Sequence, residues 1–300
     1  MRAALEEFIT QAVVCRYRLP NRELAIEKSC YSTKRDYCCA ASDDALKVMI
    51  YESIVDYAFN DTEWGETTVD QMLTEALDIR LRCNINGNES AQLSYGFYGE
   101  VLLNILLQRI WGTRVIISKG LFANYGSRRE EFKGYDSFHL LSHDDGTVDL
   151  WFGEVKFHEE YSSALKSVFE NIDKALSNDY FRSNLKMILG KKPALNDFNN
   201  DKFNAILRDL RADTEMSIAG LNEKYGVKLV YPIFILTQEV NDYDDTIRKI
   251  INLVNTHYAG HEFTIDIPYD LFFILLPVKD VKDIKTAVLE WIRNKRLITL

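Results

Sequence analysis

Two late segments, Val227 to Leu236 and Tyr269 to Val278, are apolar along almost their whole length and too short to span a bilayer. Strands read this way when both faces are buried, with helices covering the sheet on either side. Each run is followed by a stretch of helical periodicity, Asp244 to Tyr258 and Val281 to Arg296. Strands alternating with helices imply parallel pairing. Earlier, Tyr135 to Ser142 and Thr147 to Phe157 flank the turn tripeptide Asp144-Asp145-Gly146, which predicts an antiparallel hairpin. The β-branched run Thr113 to Ser118 adds another strand. The expected fold class is therefore α/β, with a mixed central sheet flanked by helices. Pro232, inside the first late run, is expected to mark an irregularity or an edge position.

The remaining periodicities are helical. Asp43 to Phe59 places Leu46, Met49, Ile50, Ile54 and Tyr57 on one face. Thr68-Val-Asp-Gln71 reads as a capping box opening a helix to about Arg82. The turn-rich segment Asn84 to Asn88 sets a soft boundary between a mainly helical N-terminal region, residues 1–90, and a sheet-containing domain, residues 91–300. Ala91 to Ile110 predicts one long helix, apolar on nearly every side after Glu100. His158 to Ser177 is amphipathic, and further helical stretches fall at Tyr180 to Leu189 and Phe203 to Tyr225.

Hydrophobic residues make up 47% of the chain and charged residues 27%, the balance of a folded protein with ample surface for a core. Five cysteines at irregular spacing argue against a secreted disulfide framework and fit no zinc-ribbon pattern. The amphipathic start carries two acids where a signal peptide would need an uninterrupted apolar stretch, so a soluble, cytoplasmic protein is expected. The net charge of −9 counts against autonomous DNA binding, because phosphate neutralisation supplies most non-specific affinity. It leaves room for a local basic cleft or for a partner that delivers nucleic acid.

The chemistry concentrates in Gly134-Tyr-Asp136-Ser-Phe-His, the hairpin turn, and Phe152-Gly-Glu154-Val-Lys156. Asp136 opens one strand and Glu154 and Lys156 close the next, so the hairpin brings them to one end of the sheet. Side chains two apart on a strand share a face, which aligns Glu154 with Lys156. Two carboxylates so placed, with the Val155 carbonyl between them, suit a hard divalent cation such as Mg²⁺ or Mn²⁺. Lys156 is then placed to orient an attacking water or to stabilise charge on a phosphate. Glu100 is a candidate fourth member: it is the one charge in an otherwise apolar turn, after Gly96-Phe-Tyr-Gly99, whose glycines permit close approach of helix to sheet. Glu131-Phe-Lys133 is a second Glu-x-Lys without this setting and is assigned no catalysis. His139, three residues beyond Asp136, is expected to face the core. His158, two beyond Lys156, has a weaker claim on the site.

This arrangement resembles the PD-(D/E)xK, or restriction-endonuclease-like, nuclease superfamily over residues 91 to 278. The match rests on Asp136 and Glu154-Val-Lys156, with Glu100 on the preceding helix. The proline that usually precedes the aspartate is replaced by Tyr135. More narrowly, the whole chain is similar to the HamA family, nuclease subunits of the Hachiman antiphage defence system. That resemblance implies a metal-dependent DNA nuclease in a stable complex with HamB, a superfamily-2 helicase that restrains and activates it. Asp136, Glu154 and Val155 are the implied metal ligands; Glu100, Asp136, Glu154 and Lys156 are the implied catalytic residues. Arg128, Arg129 and Lys133, in the loop before Asp136, are expected to contact the DNA backbone. Two alternatives stay open: a non-catalytic subunit that keeps a nuclease-like fold to bind a partner or DNA, and a resolvase specific for branched DNA.

Overall fold

The computed structural model describes residues 3–14, 39–40, 42–59, 68–81, 87–118, 134–190, 200–213, 216–258 and 261–294. Helix α1 (Ala3–Ala12) leads into β1 (Val13–Val14), which pairs antiparallel with β2 (Cys39–Ala40). Helix α2 (Asp43–Ala58) starts at Ser42, whose hydroxyl accepts from the Ala45 amide and satisfies one of the donors a helix start leaves bare. Helix α3 (Val69–Glu75) starts with the expected capping box, both reciprocal bonds between Thr68 and Gln71 being formed. It continues into a π-type turn at Ala76–Arg80.

The long helix expected from Ala91 to Ile110 is two, α4 (Glu89–Leu93) and α5 (Phe97–Trp111), separated by Ser94, Tyr95 and Gly96. Both the amide and the hydroxyl of Ser94 bond to the Ala91 carbonyl, which tightens the last turn and ends α4. Apolar periodicity does not register such a break when both halves bury the same kind of face. Helix α5 stops at Gly112, whose φ of 69° is the left-handed cap that favours glycine.

The sheet follows: β3 (Arg114–Val115), β4 (Ser137–Ser142) and β5 (Val148–His158). Next come α6 (Tyr161–Ala175), α7 (Asn178–Gly190), α8 (Asp201–Ala212) and α9 (Ile218–Tyr225). The chain closes with β6 (Val227–Gln238), α10 (Tyr243–Tyr258), β7 (Tyr269–Val278) and α11 (Val281–Asn294). The helix expected over Phe203 to Tyr225 is thus also two. The strand expected over Thr113 to Ser118 is confined to Arg114 and Val115. Spatial order is β3-β4-β5-β6-β7. The first three strands are antiparallel and the last three parallel, so the sheet is mixed as expected. The β4–β5 turn is closed by Gly146, at φ 80°, whose amide donates to the His143 carbonyl at 2.9 Å.

Pro232 marks an irregularity rather than an edge position, because β6 has a strand on either side and the proline stands inside the sheet. A proline has no amide to give, and the β5–β6 ladder is interrupted between the pairs Trp151–Val230 and Glu154–Ile233, resuming in the same register. The neighbouring strand accommodates it with Gly153. A Cβ there would stand 2.8 Å from Pro232 Cγ and 2.7 Å from Ser137 Oγ, so only glycine threads the gap.

Alternation along the strands feeds two cores. Leu150, Phe152, Tyr231, Ile233 and Ile235 pack with α6 to α10 on one face. Trp151, Val155, Val230, Phe234 and Leu236 pack with α1, α2, α5 and α11 on the other. Helix α2 lies against both α5 and α11, so the N-terminal helices share the sheet's second core. Among the described residues no helix is long and apolar enough to cross a membrane.

One polar joint fixes α5 to the sheet. His139, fully buried on β4, bonds through Nε2 to Asn104 Oδ1 at 2.9 Å and through Nδ1 to Thr113 Oγ1 at 2.8 Å. With an amide oxygen as acceptor, Nε2 carries the proton and Nδ1 accepts the threonine hydroxyl. Burial pushes the imidazole down to about 3. The folded protein holds this ring neutral while the unfolded chain protonates it near pH 6.5, so stability is full above that pH and falls as the pH drops toward 3. The expected slope from this one group is about 1.4 kcal/mol per pH unit within the window. Denaturant melts of wild type and His139→Gln between pH 7 and 4 will check it: the variant loses that component of the slope.

Candidate active site

The pairing of β4 with β5 ends at Ser137–Gly153, so among the described residues the last part of β5 pairs with β6 alone. The Asp136 amide makes one further bond, to the Gly153 carbonyl at 2.7 Å. The chain then leaves the sheet, and the Asp136 carboxylate takes over. Its Oδ2 accepts from the Val155 amide at 2.9 Å. In a paired strand the amide and carbonyl of one residue face the same edge, and alternate residues share an edge. The Val155 carbonyl therefore faces the edge where Asp136 stands.

Asp136 is held from behind by Tyr135. The Tyr135 ring is fully buried, its hydroxyl donates to the Ala175 carbonyl at 2.5 Å, and its amide donates to Asn184 Oδ1 at 3.3 Å. It meets Tyr180 and Tyr231 edge-on, at centroid distances of 4.9 Å and 5.8 Å. Burial first, then the Tyr180 and Glu154 charges, keeps the Tyr135 proton on well above the ordinary range.

Glu154 and Lys156 share one face of β5, as the strand period requires, and form a direct ion pair whose side chains are only 18% and 17% exposed. Glu100 arrives from α5. Close approach of that helix is made possible by Gly99, where a Cβ would stand 2.7 Å from Val155 Cγ2. The Glu100 carboxylate accepts from the Tyr57 hydroxyl at 2.6 Å. Tyr57 belongs to α2 and is buried. Desolvation, then the charge and hydrogen bond of Glu100, then the charge of Asp136, raise its ionisation well above the usual phenol range, so it remains a donor.

These groups line one cleft of about 550 Å³: Glu100, Asp136, Glu154, Val155 and Lys156 all border it. The structure thus brings together the residues that the sequence singled out at the sheet end and on α5. The lining also includes side chains outside the expected set, among them Lys174, Tyr180, Tyr231 and Lys285. His158 also borders the cleft, at its rim, where partial burial first and then the ammonium groups of Lys285 and Lys156 hold its pKa low. His139 is in the core. Arg128, Arg129 and Lys133 lie outside the described residues.

Among the described residues, no three His, Cys, Asp or Glu side chains converge as a ready metal cage. The cleft instead offers two carboxylates, Asp136 and Glu154, and a backbone carbonyl at the same strand edge. Hard oxygen donors in a sparse set fit Mg²⁺ or Mn²⁺, which keep several waters and complete their shell with a substrate phosphate. The donor chemistry fits neither zinc nor a soft metal.

The Tyr57–Glu100 bond crosses from the N-terminal helices into the cleft and has a measurable consequence. Tyr57→Phe is expected to lower stability by about 1–3 kcal/mol, the range for losing a partner of a charged, part-buried acceptor. In a double-mutant cycle with Glu100→Gln, followed by urea denaturation, the two changes should be clearly non-additive. Additive losses would mean that the hydroxyl does not hold the carboxylate.

The comparison with protein families completes the site description. The HamA family model matches residues 6–292, a span that takes in the N-terminal helices, the whole sheet and α5 with its glutamate. Neither the curated proteins nor the solved structures gave a match. On a match covering nearly the whole length, the chain belongs to the HamA family, a family of Hachiman antiphage-defence subunits.

Proposed function

We propose that this chain is a metal-dependent DNA nuclease of the PD-(D/E)xK type, the effector of its defence complex, restrained and activated through a superfamily-2 helicase partner. One observation carries the reading: Asp136 and the Glu154–Lys156 pair converge at the open end of β5, with Glu100 bordering the same cleft. A binding module has no need to gather partly buried charges in this way, since such groups cost stability unless they are used. The acidity of the chain, at −9, supports a nuclease that engages DNA only when a partner presents it.

In this reading Asp136, Glu154 and the Val155 carbonyl hold Mg²⁺ or Mn²⁺. The bound ion supplies Lewis acidity toward the phosphate and a water of lowered pKa. The protein's own groups do the positioning. Asp136 is fixed by the Val155 amide and by the anchored Tyr135 behind it. Lys156, tethered to Glu154, presents an ammonium to the attacking water and to the charge that grows on the phosphate oxygens. Glu100, clamped by Tyr57, fixes the far wall and orients the groups facing it. Water attacks phosphorus, the bridging P–O bond breaks, and its electron pair leaves on the deoxyribose oxygen.

The deciding experiment is plasmid degradation by the chain, with and without the helicase partner and its nucleotide, in Mg²⁺ and in EDTA. Cleavage in Mg²⁺ that stops in EDTA and falls by about 10²–10³-fold or more in Glu154→Ala and Lys156→Ala is the expected result. Wild type that fails to cut under every condition, with the partner present, would replace this reading with a non-catalytic subunit.

A further inference from the structure

Helix α11 sends one ammonium into the cleft. Lys285 lies on the flank of the stripe formed by Val281, Ile284, Val288 and Ile292, so its carbon stem is carried inward with the apolar face. Its Nζ donates to the Phe157 carbonyl at 2.9 Å. It stands 4.7 Å from the centroid of the Phe157 ring and 5.9 Å from that of Tyr98, within range of attraction to both π-faces. Among the described residues it makes no ion pair. Burial brings it down to about 8, and the charge of Glu159 only partly opposes the fall. An ammonium has three protons to give, and here one protein oxygen takes one of them. A desolvated cation in that state is stabilised by an anion that enters with the ligand.

The position of that anion follows from the strand. Val155 and Phe157 are two residues apart on β5, so their carbonyls face the same edge, unpaired with any strand among the described residues, roughly 7 Å from one another. Successive phosphates along a nucleic-acid strand have a comparable spacing. With the reacting phosphate at Asp136, Glu154 and the Val155 carbonyl, a strand running along this edge brings its next phosphate to the Phe157 carbonyl, where Lys285 waits. We propose that Lys285 binds the phosphate adjacent to the scissile one and so sets the register of the DNA strand in the cleft. This rests on the nuclease reading above and adds to it a substrate contact from the C-terminal helix. The contact is blind to base identity, since a phosphate carries none.

The test uses the full chain with its partner, a short fluorescent DNA duplex, and Ca²⁺ in place of Mg²⁺. Binding is measured across a salt series for wild type, Lys285→Met and Lys285→Arg, together with thermal unfolding and with cleavage in Mg²⁺. Lys285→Met should weaken binding about tenfold and reduce the slope of log affinity against log salt by about one, the amount for one lost phosphate contact. Lys285→Arg should keep the slope. In cleavage, KM should rise more than kcat falls. A Lys285→Met protein with unchanged slope and affinity overturns the proposal. So does one that loses thermal stability while its slope stays at the wild-type value, since the lysine is then a brace for the strand end. Wild type that binds and cuts while Lys285→Met behaves identically removes only this inference; wild type that neither binds nor cuts removes the nuclease reading with it.

Discussion

The bond from the Val155 amide to the Asp136 carboxylate replaces a rung of the sheet. Strand β4 begins at Ser137, opposite Gly153, so among the described residues no antiparallel neighbour pairs with Val155 or Phe157. An uncovered edge ordinarily invites pairing with another chain. Here a carboxylate closes part of it and the Lys285 ammonium takes the Phe157 carbonyl. The same truncation that leaves the edge also supplies the Asp136 carboxylate that closes part of it, while α11 supplies the ammonium, and this end of β5 is where the cleft forms. Gly153 is the hinge of the arrangement, because a side chain there would strike Ser137 on one side and Pro232 on the other.

The second constraint is two-sided burial. Because β5, β6 and β7 send alternate residues into different cores, both faces of the sheet must be roofed. The roof over one face is built largely from α1, α2, α5 and α11, so elements from the two ends of the chain meet above the same strands. That packing gives α2 its role at the site. Tyr57 presents its hydroxyl to Glu100, while its carbonyl accepts from the Ser118 hydroxyl at the end of the segment after β3. The helix is therefore tied both to the α5 glutamate and to the sheet margin.

Much of this was legible in the sequence because it depends on short-range periodicity. The strand period puts Glu154 and Lys156 on one face, and the Asp-Asp-Gly turn fixes a hairpin that returns Glu154 to Asp136. Gly99 announced a close helix approach, and the structure places it against Val155. What periodicity reports is which face is buried, not what lies opposite. Tyr57 reads as an ordinary core residue of α2, and only the tertiary packing turns its hydroxyl toward a carboxylate. Lys285 carried a signal that was available, a cation at the flank of an apolar stripe, but nothing local indicates the carbonyl it meets. The break between α4 and α5 is set by the hydrogen bonds of Ser94, which leave the hydrophobic pattern intact. Pro232 leaves irregularity and edge equally open for a similar reason: what decides between them is a glycine on the neighbouring strand that makes room for a proline inside the sheet.

Charge accounting separates the members of the cleft from one another. Gathering Glu100, Asp136 and Glu154 at one strand end is unfavourable unless each carboxylate finds a donor. Each does: Tyr57 for Glu100, the Val155 amide for Asp136, Lys156 for Glu154. The three donors differ in kind, and so does what they permit. A backbone amide cannot leave, so Asp136 is fixed with the sheet. A phenol held well above its ordinary ionisation stays a donor at any physiological pH, so Glu100 is fixed with α2. Lys156 is a long, rotatable side chain two residues from its partner, so the Glu154–Lys156 contact is the one that can rearrange without moving the backbone. The rigid bonds therefore belong to Asp136 and Glu100 and the adjustable one to Glu154, the division a site needs if its frame is to be fixed in advance while the reacting groups answer to a ligand.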